Sequence, residues 1–109
     1  MKLSSKAFWY GGAAEKKKEL SRRLRHRRIP KGLWYLVIPG SEEGNFHGLF
    51  EFFPAEECHR NRKLYRGCTI IGVTDSREKA KELSARIVGT VLKETGGYDI
   101  RAWFEEGRA

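Results

Sequence analysis

Cysteine occurs twice and proline three times in 109 residues. Two cysteines are too few for a disulfide-stapled framework, and three prolines exclude a proline-rich or collagen-like chain. Long apolar runs are also missing. The longest, Leu33 to Ile38, has strand length and falls far short of the roughly 20 residues a membrane helix needs. The apolar stretch Ala7 to Tyr10 stops at Gly11 and Gly12, below the about 7 to 15 residues of a signal-peptide core. A cytoplasmic protein with no membrane partner is therefore expected. Acidic residues are scarce at the front of the chain, where residues 1 to 32 contain only Glu15 and Glu19.

Against those two acids the same segment sets eleven cations: Lys2, Lys6, Lys16, Lys17, Lys18, Arg22, Arg23, Arg25, Arg27, Arg28 and Lys31, a net charge of +9. The other 77 residues carry eleven cations and twelve acids, net −1. A single-sign segment on a near-neutral body is the footprint of a polyanion partner. Arginine dominates from Arg22 onward, and its guanidinium fork grips phosphate bidentately and stacks on bases, whereas lysine acts as a hydrated point charge. The plain alternative is a solvated helix face kept soluble by its charges. Elsewhere the composition is that of a folding chain, 39% hydrophobic and 12% aromatic, and its length suits one domain. Residues 1 to 32 read as a basic arm and helix and 33 to 109 as an α+β core, together one domain.

Residues 13 to 28 carry good helix formers between Gly11-Gly12 and Pro30, which predicts a helix with a thin apolar stripe of Ala13, Leu20 and Leu24. Two buried leucines contribute about 3 to 6 kcal/mol before entropy is counted. The helix is thus expected to dock weakly and to order fully on a partner. Residues 33 to 38 read as a buried strand ended by Pro39-Gly40, followed by a polar turn at 41 to 45 and a second strand at 46 to 53 pairing antiparallel. Residues 54 to 66 read as a polar connection with a second basic knot, His59, Arg60, Arg62, Lys63 and Arg66. The segment 68 to 73 reads as a buried strand. Asp75 and Glu78 have capping-box spacing for a helix over 76 to 95, with Ala80, Leu83, Ile87, Val91 and Leu92 on its apolar face and Gly96-Gly97 at its end. Residues 98 to 104 alternate and read as a strand parallel to 68–73.

The expected fold is a two-layer α+β domain: a mostly antiparallel sheet of about four strands with two helices on one face. If residues 3 to 10 also form a strand, the order is that of a split β-α-β plait. Without that strand the order is helix, three strands, helix, strand, whose first five elements are those of a second fold. Ser76-Arg77-Glu78-Lys79-Ala80-Lys81 opens the second helix, and His47 lies near the turn between the first two strands. In these features the chain resembles double-stranded-RNA-binding domains, and the resemblance implies phosphate contacts from that helix start and minor-groove entry by the histidine.

Alternation over 98 to 104 would put Asp99, Arg101 and Trp103 on an open sheet face, and tryptophan beside arginine there stacks unpaired bases. Tyr35 and Phe53 would extend such a platform if their strands are neighbours. The plain alternative is Trp103 capping the sheet edge with Arg101 over it. Cys58, Cys68, His47 and His59 have the chemistry of zinc ligands but not the spacing of a finger or ribbon, so no metal or other cofactor is expected. Glu56, Glu57, Cys58 and His59, with His47, have the chemistry for acid–base cleavage of a phosphodiester. Adjacent loop side chains do not normally converge, and no nucleophile elbow or phosphate-cradling glycine loop is present, so no catalytic residue is expected.

The function expected is non-catalytic binding of DNA or RNA. Lys16, Lys17, Arg22, Arg23, Arg25, Arg27, Arg28 and Lys31 would supply phosphate contacts, Arg60, Arg62 and Lys63 a second touchpoint, and Arg101 with Trp103 base stacking. The alternatives are an adaptor docking its basic helix on an acidic partner within a larger protein assembly, and a small metal-independent nuclease.

Overall fold

A computed structural model of the chain describes residues 1–25, 31–39, 50–97 and 99–106. Its sheet is built from β1 (Lys2–Trp9), β2 (Trp34–Ile38), β3 (Glu51–Pro54) and β4 (Thr69–Thr74) in the order β1-β4-β2-β3. β4 is central, parallel to β1 and antiparallel to β2, and β2 pairs antiparallel with β3. The expected α+β domain with a four-stranded, mostly antiparallel sheet is thus the one observed. The strand proposed for residues 3 to 10 is present, so the order beginning with a helix does not apply. Pairing β1 directly and in parallel with β4 also departs from the plait.

The helices are α1 (Gly12–Glu15), α2 (Lys17–Arg25), α3 (Ala55–Arg60), α4 (Arg77–Thr95) and α5 (Ile100–Glu106). They divide between the two faces of the sheet instead of sharing one. Tyr35, Val37, Ile70 and Val73 face Ala13, Leu20 and Cys58 from α1, α2 and α3. Leu36, Ile38 and Ile71 face Ala80, Leu83, Ile87 and Val91 of α4 and Ile100 and Phe104 of α5. The physical reason lies in β2, which is apolar at every position; a strand with one wet face would alternate.

β4 changes face part-way. Ile70 and Val73 point one way and Ile71 the other, because the ladder skips a residue between Leu36↔Gly72 and Val37↔Ile70. The β1 ladder is irregular at the same level, between Leu3 and Phe8. Gly72 lets α4 approach here. A Cβ on it would lie 2.9 Å from Leu83 Cδ2 and 3.3 Å from the Leu36 side chain.

Three further expectations are corrected. The helix over 13 to 28 is broken at Lys16, whose N–H bonds back to Ala13 O in a tight turn. The break lets Ala13 and Leu20 both reach the core although Lys17 interrupts their stripe. The cap of α4 is Ser76, whose Oγ accepts from Lys79 N at 3.1 Å. Asp75 instead accepts from Gly12 N at 3.1 Å and pairs with Lys79 at 3.2 Å, tying α1 to α4. Leu92 is exposed, since Ala80, Leu83, Ile87 and Val91 already fill the buried stripe.

The largest correction is the last element, which is a helix and not a strand. Asp99 Oδ1 accepts from Ala102 N at 3.0 Å, and Trp103 N donates to Asp99 O, closing the first helical turn. Ile100 and Phe104, four residues apart, then share one buried face. Residues 54 to 66, read as a connection, include α3. The turn at 41 to 45 and the start of the strand at 46 lie outside the described residues. No helix among the described residues is long and apolar enough to cross a membrane.

Candidate functional site

β1, α2, α3, β4 and the turn 61–67 surround a pocket of about 540 Å³. Its apolar lining includes Leu3 of β1, Leu24 of α2 and Ile70 of β4, and its polar lining comes from His59, Arg62, Lys63 and Arg66. The turn is held by its own backbone. Asn61 O accepts from Leu64 N and Tyr65 N, and Tyr65 O accepts from Cys68 N. Tyr65 is buried edge-on against Phe53, with ring centroids 5.2 Å apart. With Tyr65 and Cys68 turned inward, Arg60, Arg62, Lys63 and Arg66 are left exposed. The Met1 amino group donates to Arg66 O at 2.8 Å, fastening β1 to the same turn.

The interior of the pocket is electrically quiet. Tyr35 OH lies 2.9 Å from His59 Nε2. Burial, with a smaller contribution from Cys58, keeps the Tyr35 phenol protonated well above its usual range. Desolvation, then repulsion from Arg62 and the chain's amino group, lowers the His59 pKa, so its imidazole is neutral at pH 7. Burial, reinforced by Glu57 and Cys68, pushes the Cys58 thiol up to about 12. A thiol held protonated is a poor nucleophile, so the burial of Cys58 works against it as the nucleophile of the Glu56 to His59 cluster. Cys58 and Cys68 are buried and unlinked in one core cluster. Among the described residues no three His, Cys, Asp or Glu side chains converge on a metal position. His47 lies outside the described residues.

The described cations singled out from sequence fall into four places. Lys16 is exposed between α1 and α2, and Lys17, Arg22 and Arg23 are exposed on α2. Arg23 pairs with Glu19 at 2.9 Å. Lys16, Lys17, Arg22, Arg60, Arg62 and Lys63 have no carboxylate within salt-bridge distance among the described residues. α2 borders the pocket through Leu24 and shares a core cluster with Cys58 and Tyr65, so the two basic knots lie on the same side of the sheet. Lys31 is exposed in the turn before β2. The Arg25 side chain and the whole of Arg27 and Arg28 lie outside what is described.

Arg101 and Trp103 belong elsewhere. Both sit on α5, across the sheet from the pocket. Arg101 donates to Pro39 O. Trp103 donates its indole N–H to Glu94 at 2.6 Å, carries Lys6 Nζ 3.5 Å from its ring centroid, and packs beside Phe8. The stacking platform expected from alternation does not form, because the segment is the helix α5 and adds no strand to the sheet. Tyr35 is buried and Phe53 packs on Tyr65, so neither extends such a surface. What the sequence reading missed was the pocket itself, whose apolar part includes residues 3, 24 and 70, far apart in the chain. Searches of family models, curated proteins and solved structures find no match to this chain.

Proposed function

We propose that the protein binds nucleic acid without catalysing a reaction on it, through the side of the sheet that carries α2 and the turn 61–67. The observation that carries this reading is the placement of two basic knots, distant in sequence, on one side of the sheet, where α2 borders through Leu24 the pocket that Arg62, Lys63 and Arg66 line, with Lys16, Lys17, Arg22, Arg60, Arg62 and Lys63 unpaired among the described residues. Clustered cations without carboxylates repel one another, and a phosphate chain relieves that repulsion while releasing its own counterions. Arg25, Arg27, Arg28 and Lys31 are included as further phosphate contacts on the strength of their place in the sequence. The unlinked thiols of Cys58 and Cys68 fit a reducing compartment such as the cytoplasm.

The test is the salt dependence of binding to a generic RNA or DNA oligonucleotide, followed by fluorescence anisotropy. With about six phosphates neutralised, the logarithm of affinity falls against the logarithm of salt concentration with a slope of about −4 to −5. A flat dependence overturns the proposal.

A further inference from the structure

Resting on that reading, we infer that the pocket between α2 and the turn 61–67 receives one unstacked nucleotide, so that the protein selects single-stranded nucleic acid over duplex. The pocket joins two kinds of surface. Its rim, from Arg62, Lys63 and Arg66, is cationic and exposed, and Leu3, Leu24 and Ile70 supply apolar surface below it. Phosphates satisfy a cationic rim whether the nucleic acid is paired or not. The apolar part can be filled only by a base that has left its stack, and in a duplex unstacking costs a few kcal/mol.

Size and chemistry agree with that occupant. About 540 Å³ lies within the roughly 300 to 1,000 Å³ typical of small-ligand sites, room for one nucleotide and not for a helix. Guanidinium planes at the rim stack on bases as well as pairing with phosphate. His59 is engaged at Nε2 by Tyr35, leaving Nδ1 as the ring nitrogen that a base edge can meet. The occupant is a strand and not a free nucleotide, because Lys16, Lys17 and Arg22 lie beyond the pocket. A mononucleotide has no further phosphates to offer them.

The experiment measures the full chain against a single strand of about a dozen uridines and a duplex of the same length at equal salt, with Leu24→Trp and Leu24→Asp as variants and their melting temperatures as a fold check. Expected is about a tenfold preference for the single strand that collapses toward unity in both variants. A strand carrying one 2-aminopurine reads the same event in the wild-type protein, because its emission rises when the base leaves its neighbours. Equal affinity for strand and duplex, with the salt slope intact, overturns the pocket inference and leaves the phosphate reading standing. A preference that survives both variants, or unchanged 2-aminopurine emission, overturns it as well. If uridine monophosphate displaces the strand at equal concentration, the commitment to a strand is wrong. Absence of salt-dependent binding to either probe sinks the underlying function.

Discussion

His59 couples the pocket to pH through its own protonation. It is packed against the Tyr35 hydroxyl and faces the repulsion of Arg62 and the chain's amino group, and its folded-state pKa lies below the ordinary imidazole value. The unfolded chain takes up a proton near pH 6.5 that the folded chain resists. Stability is therefore complete above that pH and declines as pH falls through it, until the folded imidazole also protonates. Melting temperatures measured from about pH 7.5 down to about pH 5.5 should fall more steeply in the wild type than in His59→Gln; equal slopes would assign the loss to another group. Asp75 does not confuse the measurement. Burial opposes its ionisation, but the hydrogen bond and charge of Lys79, with the Gly12 amide, outweigh burial and lower its pKa. Its contribution is present above the ordinary carboxylate value and is lost only in stronger acid. Thr74 makes a separate prediction. It is fully buried, and its Oγ1 has no hydrogen-bond partner among the described residues. Thr74→Val removes an unsatisfied hydroxyl at nearly constant volume, so it should raise stability by about 1 kcal/mol in urea unfolding; a decrease would mean that the hydroxyl contributes to folding.

Among the elements, α5 depends most visibly on a single cap. Asp99 is exposed, but its carboxylate accepts the Ala102 amide, and Ile100 and Phe104 behind it are buried in the α4 cluster. Asp99→Ala should cost about 0.5 to 2 kcal/mol, read as a lower urea midpoint at unchanged slope; no change would show that packing alone holds the helix. The same element shows where the sequence was ambiguous. Ile100, Ala102 and Phe104 alternate as in a strand, yet Ile100 and Phe104 are also four apart as in a helix, and seven residues do not separate the two periods. Asp99 was the tie-breaker. α4 was legible because Ala80, Leu83, Ile87 and Val91 repeat over four turns, and the central strands because their residues are apolar throughout. α3 was not, since only Ala55 and Cys58 of its six residues are buried. Its signal was electrostatic, with Glu56 and Glu57 in the first turn and His59 and Arg60 in the last, matching the helix dipole. The basic residues of the site were legible as composition. Their placement on one side of the sheet was not, because it depends on β1 pairing with β4 and on the turn 61–67 being anchored by Tyr65 against Phe53.

For the molecule as a whole, the decisive arrangement is a sheet with a different role on each face. One face carries α2, α3 and the pocket; the other is sealed by α4 and α5, with Lys6, Trp103 and Glu94 joined at its edge. Charge is therefore not interchangeable across the surface, and cations counted together in sequence separate into those on the pocket side of the sheet and those on the sealed side. Arg101 tests this division. It lies on the sealed side and donates to Pro39 O, and salt screens what remains of its field at the pocket. Arg62→Ala should weaken oligonucleotide binding and make the log-log salt slope shallower by about 0.7 to 0.9, the share of one phosphate contact. Arg101→Ala should leave affinity and slope within about twofold of wild type while lowering thermal stability, because it releases the end of β2 from α5. Equal losses from both substitutions would mean that the nucleic acid wraps the whole molecule, and the one-sided interface would have to be given up.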